Sequence, residues 1–515
     1  MSLHRKAILL TATLAIPMIV GSASPAALGA TGTSCGHTPS DFNGDGRADV
    51  ATAEPYRTVG GLADAGALRV IYGGQAGLVT TGNQILDEAS FPTLKAASES
   101  DHFGISAASG YFNSDCYGDL AIGVPGAAGG VGAVIIVYGS ANGLDPSTAT
   151  EFTPTSIEPS ATGKQKFGWS LASGDFNGDG SADLAIGAIA HGGFAGGVDV
   201  LYATPSGLEN TNAQLFSEAT AGIPGTATKG DQFGYAVASG DFDGDGTADL
   251  AIGVPGKELS KAKEAGMVIT LAGSAAGLQS TTARYWRQGL GGIASTPELG
   301  DQFGFSLATG SISGHTWDDL AVGAPGEGIG AATAAGSVQV IRGSASGLTG
   351  SGSETETQHN PQIPGEAEKG DQFGWSVTMG DYNGDRHADL AIGTPYEDLG
   401  TALDAGNVTV LYGTAAGITT SHAQAWSQDS TGITGGAETK DVFGYSLQSL
   451  PIAGPLDDLV AGDPGEDSSG FINSGALAVI MGTTHGLSAA DNQLLGPASL
   501  AGGAQNFAKM GVRIG

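Results

Sequence analysis

A repeat of nearly constant length governs this chain. Phe-Gly occurs at Phe103, Phe167, Phe233, Phe303, Phe373 and Phe443, so successive copies lie 64 to 70 residues apart. About 16 residues after each comes Asp-Leu and a short apolar run ending in Gly, as in Asp183-Leu-Ala-Ile-Gly187 and Asp319-Leu-Ala-Val-Gly323. A third element follows: a Gly and then an alternating apolar stretch, from Gly66 to Tyr72 in the first unit through Gly475 to Met481 in the last. Alternation between Gly-rich turns marks strands, and a weaker fourth strand is expected near Ala283 to Gln288 and Ala423 to Gln428. Four short strands in each of seven units predict an all-β fold, a seven-bladed β-propeller.

The first unit is incomplete. Its Asp-Val run, Asp49 to Pro55, has no Phe-Gly before it. At the other end, residues Asn506 to Gly515 resemble the missing strand, with Phe507-Ala508 in place of Phe-Gly. Pairing of this segment with Asp49 to Pro55 closes the ring by joining N- and C-terminal strands and removes exposed sheet edges. The competing reading is a frayed tail.

Between the Phe-Gly strand and the Asp-Leu strand lies a loop whose best copy reads Asp241-Phe-Asp243-Gly-Asp245-Gly-Thr247-Ala-Asp249. Side-chain oxygens fall at positions 1, 3, 5 and 9, Gly stands at 6, and the main-chain carbonyl of position 7 is available. Such a loop points several oxygens at one hard cation, and Ca2+ accepts that crowded, loose geometry better than magnesium. Three more loops keep the pattern: Asp41, Asn43, Asp45, Arg47 and Asp49; Asp175, Asn177, Asp179, Ser181 and Asp183; Asp381, Asn383, Asp385, His387 and Asp389. Arg47, Ser181, Thr247 and His387 enter through their carbonyls. The expected load is about four ions. The alternative is four Asp/Asn/Gly hairpin turns with no ion, but turns do not require acids at 1, 5 and 9 together. Repeat two keeps Asn113, Asp115 and Asp119 and is a weak fifth candidate, whereas repeats five (Ser311, Ser313, His315, Asp319) and seven are expected to be empty.

These units resemble FG-GAP repeats, the building blocks of the amino-terminal propeller of integrin α subunits. Phe233-Gly234 carries the first half of the motif, Gly253-Val254-Pro255 the second, and the loop Asp241 to Asp249 stands between them. The resemblance covers essentially all of residues 41 to 515. It implies a seven-bladed propeller with calcium in hairpins on one face, and in integrins that propeller pairs with a β subunit in ligand recognition and adhesion. Legs, an inserted ligand-binding domain, a membrane span and Arg-Gly-Asp are not seen, so the receptor role is not transferred whole. Similar repeats accompany catalytic domains in glycosylphosphatidylinositol-specific phospholipase D, but the repeats leave no room for one here.

The amino-terminal segment sets the compartment. Arg5 and Lys6 precede an apolar run from Ala7 to Val20 and small residues around Ala23, Gly29 and Ala30, the pattern of a secretory signal spanning 1–30. An uncleaved anchor is the alternative. Residues 31–515 are then the propeller, soluble and extracellular. In that compartment Cys35 and Cys116 read as one disulfide. The formal charge of -32 argues against nucleic acid or anionic membrane as partner and suits cations.

Catalysis has little support. Gly-x-Ser recurs at Ser106, Ser170, Ser306, Ser376 and Ser446, in step with the repeat, and lacks the second Gly of a nucleophile elbow. The nine His have no zinc-ligand spacing. The expected function is an extracellular calcium-binding scaffold, monomeric and without membrane insertion, for protein or glycan partners. The alternative is a hydrolase or lyase with its site at the central channel, for which converging carboxylates or His in a deep axial pocket would be the sign.

Overall fold

Each repeat unit becomes its own antiparallel sheet, and seven such sheets, or blades, make up the propeller. The computed structural model describes residues 35–36, 38–91, 97–512 and 514, so the segment read as a signal lies outside the described residues. Blade 4 shows the plan. Val237–Gly240, Asp249–Val254, Met267–Ala272 and Gln279–Trp286 pair in chain order, with Leu250 opposite Leu271 and Ile252 opposite Ile269. The second strand is buried along its whole length and the third at every residue but its last, Ala272. Sheets covered on both faces read as continuous apolar runs, which explains Asp-Leu-Ala-Ile-Gly. The outer strand is half-buried or exposed at every residue except its final Trp286.

First strands of successive blades touch one another, so they line the axis. The core is a set of layers between neighbouring blades. In one, Val198 and Val200 of blade 3 meet Val237, Leu250 and Ile252 of blade 4.

Glycine explains how blades lock. The Gly of each Phe-Gly sits at positive φ, from +82° at Gly168 to +89° at Gly304, a region open to Gly and costly to most other residues. The Phe before it is fully buried, and Phe103, Phe167, Phe233, Phe303 and Phe373 each form a parallel bridge to the Gly that opens the third strand of the preceding blade, as Phe233 does with Gly196. The Gly that ends each Asp-Leu run is needed for a different reason. A Cβ at Gly123, Gly187, Gly253, Gly323, Gly393 or Gly462 would lie 2.0 to 2.2 Å from the next blade's Phe-Gly carbonyl or its counterpart. The recurring serines complete the clasp. Ser106, Ser170, Ser306, Ser376 and Ser446 each donate to that carbonyl at 2.6 to 2.8 Å. The Gly-x-Ser motif is therefore an inter-blade fastener.

The ring closes through both termini, but in a different register from the one expected. Ile514 pairs with Thr52 of blade 1 in antiparallel fashion, so the carboxyl-terminal segment completes a sheet otherwise made of Val50–Glu54, Ala67–Ile71 and Gln84–Leu86. The clasp is made by Met510-Gly511 and not by Phe507-Ala508. Met510 bridges Gly475, Gly511 has φ +88°, and Ser446 donates to the Gly511 carbonyl. The reason is steric: the second residue must adopt positive φ, which Gly511 does readily and Ala508 does not. Phe507 is left 53% exposed while Met510 is fully buried. Met510 and Ile514 join Val50, Ile71, Leu477 and Val479 in the layer that seals blade 7 to blade 1.

The disulfide Cys35–Cys116 is formed and ties the chain ahead of blade 1 to the blade 2 loop. Cys116 occupies loop position 6 at φ +66°, where blades 1, 3 and 4 carry Gly and blade 6 carries Arg386, itself at φ +69°, in place of the expected Gly.

Met510→Ala is expected to lower stability by about 2–5 kcal/mol, the range for truncating a buried Met. Phe507→Ala should stay within about 0.5 kcal/mol, as exposed sites do. Thermal or denaturant melts decide, and a reversed order would restore the Phe507 register.

Candidate metal centres

The inner strand runs from Phe-Gly to the Asp-rich loop and the second strand returns, so the loops share one face and the Gly-Ala-Pro-type turns the other. The loops are chained together. The N–H of position 8 donates to the position 1 carbonyl of the preceding loop, in six successive pairs from Gly118 to Asp41 through Asp457 to Asp381, at 2.7 to 3.2 Å.

Within each loop the carboxylates organise the turn. In blade 4, Asp241 Oδ1 accepts the N–H groups of Gly244 and Asp245 and Oδ2 accepts that of Gly246. Asp243 accepts Asp245 N–H at 3.1 Å and Asp245 accepts Thr247 N–H at 2.8 Å. Blade 6 repeats this through Asp381, Asn383 and Asp385, and blades 1 and 3 do so through Asp41, Asn43 and Asp45 and through Asp175, Asn177 and Asp179. Asp241, Asp243 and Asp249 converge furthest, offering carboxylate oxygens within 4.8 Å of one another. That all-oxygen donor set fits a hard divalent cation. At position 7 the His387 ring turns away to the Ile312 carbonyl at 2.9 Å, leaving its own carbonyl as its loop contribution.

Position 9 does two jobs. In every blade its Asp is buried, with one oxygen accepting the N–H of position 2 and the other the N–H at the end of the third strand; in blade 4 these are Phe242 at 3.0 Å and Gly273 at 2.9 Å. Blades 5 and 7, which lack the other acids, keep the same pin through Asp319 and Asp458. The constancy of this Asp therefore reports on hairpin geometry first. Burial, opposed by those N–H bonds and reinforced by neighbouring loop acids, pushes Asp49 up to about 7 and Asp183, Asp249 and Asp389 up to about 8.

The blade 5 loop has acquired a cation of its own. Arg342, standing where blades 1, 2, 3 and 6 have Tyr, reaches Asp319 at 3.4 Å and Glu354 at 2.5 Å. The same two degenerate loops support their neighbours: Asp318 accepts the Asp241 N–H and Asp457 the Asp381 N–H, at 3.1 and 2.9 Å. Neither was apparent in the sequence, although both break an otherwise small position 8. In blade 2, Asn113, Asp115 and Asp119 keep the turn, with Asp119 pushed up to about 7 mainly by burial.

On the opposite face, the residues that follow each Phe-Gly meet around the axis. Trp169, Tyr235, Phe305, Trp375 and Tyr445 stack in sequence with ring centroids 4.9 to 5.9 Å apart. Ile105 and Val512 pack beside Tyr445 and Tyr56. Two adjoining clefts of about 460 and 540 Å³, sharing Tyr396 and Asp404, open over this floor and are rimmed by Asp398, Asp441 and Asp467 among others. The floor of the mouth is aromatic.

Seven clasped sheets with Asp-rich hairpins on one face define an FG-GAP β-propeller. The FG-GAP repeat family matches residues 38–71, 167–201, 233–271 and 373–411, the four units whose loops are complete. The chain is similar to Integrin alpha-PS2 of Drosophila melanogaster, 29% identical over 42% of this chain and 14% of that one, and to Integrin alpha-5 of Xenopus laevis, 31% identical over 50% and 25%. It is also similar to Phosphatidylinositol-glycan-specific phospholipase D of Bos taurus, 32% identical over 31% of this chain and 19% of that one. The chain thus spans 14% to 25% of the length of these relatives. A solved structure of the Dos1 propeller aligns with 73% of this chain and 80% of that one, at 12% identity and a TM-score of 0.36. This chain carries FG-GAP repeats in four of its blades and folds as an integrin-α-like β-propeller.

Two outcomes follow. The position 9 carboxyls have folded values raised from the ordinary 3.8 to about 7 or 8. The folded protein then binds more protons than the unfolded chain across that window, so without calcium its stability falls as pH rises from about 4 to 8. In chelator the melting temperature should drop from pH 5 to pH 8, and added calcium should raise it more at pH 8; a flat profile would contradict the assignment. Asp319→Ala should cost about 2–4 kcal/mol by stranding two buried N–H groups while leaving the number of bound ions unchanged.

Proposed function

We propose that this chain is an extracellular, calcium-loaded binding propeller, an adhesion-type scaffold whose protein partner docks over the aromatic mouth. Calcium at each of the four complete loops would take oxygens from positions 1, 3, 5 and 9 and the carbonyl of position 7. It would supply the counter-charge that the crowded carboxylates need and hold the hairpins rigid. The convergence of Asp241, Asp243 and Asp249 supports this reading. Export agrees with the Cys35–Cys116 disulfide, a bond that persists outside the reducing cytosol. Among the described residues no helix is long and apolar enough to cross a membrane.

The observation that carries the partner reading is the mouth itself, an aromatic floor under a rim in which acids outnumber Lys369, Lys440 and Lys509. Lys509 already lies 5.6 Å from the Tyr56 ring centroid at its edge. A partner segment bearing Lys or Arg suits such a surface, through cation–π contact with the floor and charge complementarity with the rim. Similarity to proteins named as integrin α chains supports the adhesion-type role.

Calcium titration of Asp41→Asn, Asp175→Asn, Asp241→Asn and Asp381→Asn should each remove one ion, with loop affinities on the order of 10⁻⁴ to 10⁻³ M. Lys/Arg-rich peptides should bind at low salt and weaken as salt rises. The double change Asp404→Asn with Asp467→Asn should weaken them about tenfold, ~1.4 kcal/mol. Binding indifferent to peptide charge, or a preference for neutral oligosaccharides, would remove the basic-partner reading.

A further inference from the structure

The blades act as an internal substitution series at one point on the mouth face, where the second strand ends. Five blades carry an uncharged residue there, Val254 in blade 4 being typical. Blade 1 carries Glu54, fully buried and held by two cations, Arg57 at 2.7 Å and Arg69. Blade 7 carries Asp463, also fully buried. Neither of its side-chain oxygens has a hydrogen-bond partner.

Three residues further on, in the turn, the cation itself can be followed. Blade 1 has Arg57, and blade 4 has Lys257, whose ammonium binds Glu218 at 2.6 Å, Asp231 at 2.9 Å and the Thr226 carbonyl at 2.7 Å. Asp231 stands two residues before Phe-Gly, as Asp441 does in blade 7. In blade 7 the Lys257 position is Glu466. Oxygens of Asp441, Asp463 and Glu466 come within 4.8 Å of one another. None of the ion pairs among the described residues reaches these three acids. Gln428 donates to Glu466 at 2.7 Å and keeps a buried carboxamide oxygen to offer. Burial first, and then the Asp441 and Glu466 charges, push Asp463 well above the usual carboxylate range. Asp441 lines the cleft of about 540 Å³, which connects the cluster to solvent.

We propose that Asp441, Asp463 and Glu466 form a further calcium site on the mouth face of blade 7, in which a metal ion takes the place that the Lys257 ammonium holds in blade 4. The donors are all oxygens, two from Asp463 and the rest from Asp441, Glu466 and Gln428, and calcium accepts such a shell, completed by water. The site joins three separate pieces of chain: the exit of blade 6's outer strand, the approach to blade 7's inner strand, and the turn after its second strand. It differs in place and ligands from the loop sites, which lie on the opposite face.

Calcium alone, titrated calorimetrically into the chelator-treated full chain, tests this. Asp463→Asn should bind one ion fewer than the unaltered protein, and combining it with Asp241→Asn should remove a second, separate ion. Glu466→Lys, which installs the blade 4 residue, should also lose one ion. In chelator it should melt above the unaltered protein, because the ammonium now fills the site. Should Asp463→Asn fail to fold, the Glu466→Lys measurement still decides. Full ion counts in both variants would overturn the site and identify Asp463 as a protonated buried acid. Loss of the Asp241-dependent ion alone, or its absence, speaks only to the loops.

Discussion

The fold rests on a backbone clasp between neighbouring blades that, in all but the first blade, leaves no room for a Cβ. The clasp carbonyl lies so close to Gly123, Gly187, Gly253, Gly323, Gly393 or Gly462 of the preceding blade that any side chain there would overlap it, and blade 1 carries the smallest side chain, Ala53, at that place. The Phe anchors the strand in the layer between blades, and the Ser two residues beyond its Gly fastens to the next blade's carbonyl. A buried carbonyl with a donor stabilises, whereas one stranded without a partner costs far more than the bond contributes. Every blade therefore needs a following blade. A ring answers this requirement, which is why the last clasp is built from Met510 and Gly511 at the far end of the chain.

The loops show how a structural demand and a binding capacity share one residue. The position 9 Asp pins two N–H groups in all seven blades, so its carboxylate is desolvated whether or not an ion is nearby. In a complete loop, acids at positions 1 and 5, and in blade 4 also at 3, surround this buried charge, and a cation would relieve the repulsion that burial magnifies. Blade 5 relieves it with Arg342. Blade 7 keeps its pin with three N–H donors and no acid at positions 1, 3 or 5. The loss of the other loop acids is thus tolerated because the pin holds the hairpin's register.

Much of this could be read in the sequence because the repeat is rigidly periodic. Blade number, strand order, the complete loops and closure by the terminus follow from spacing, and the disulfide from an even pair of cysteines in a chain read as exported. The register of the last strand was misplaced by three residues because Phe507 looked like the anchor, although the positive φ of the second residue makes Gly the decisive one and points to Gly511. The pinning role of Asp119, Asp319 and Asp458 was legible in principle, since these acids persist in loops that lost the rest. Asp318, Asp457 and Arg342 were not, because each acts on a group in another blade or strand. The blade 7 cluster draws on residues from three segments, and only the packing of one blade on the next brings them together.

The two faces answer to different constraints. On the loop face, acids sit at fixed offsets within one hairpin, so each site is local and can decay one blade at a time without disturbing its neighbours' backbones. On the mouth face, the residues after Phe-Gly converge from all blades, and Trp169, Tyr235, Phe305, Trp375 and Tyr445 form one continuous stack. No single repeat defines that surface. Variation there is free to be individual, as Ile105 and Val512 beside the aromatics illustrate. A periodic scaffold therefore obtains a non-periodic face where the blades' own differences meet, and the acids of blades 1 and 4 there take their character from the cation, Arg57 or Lys257, that the blade supplies.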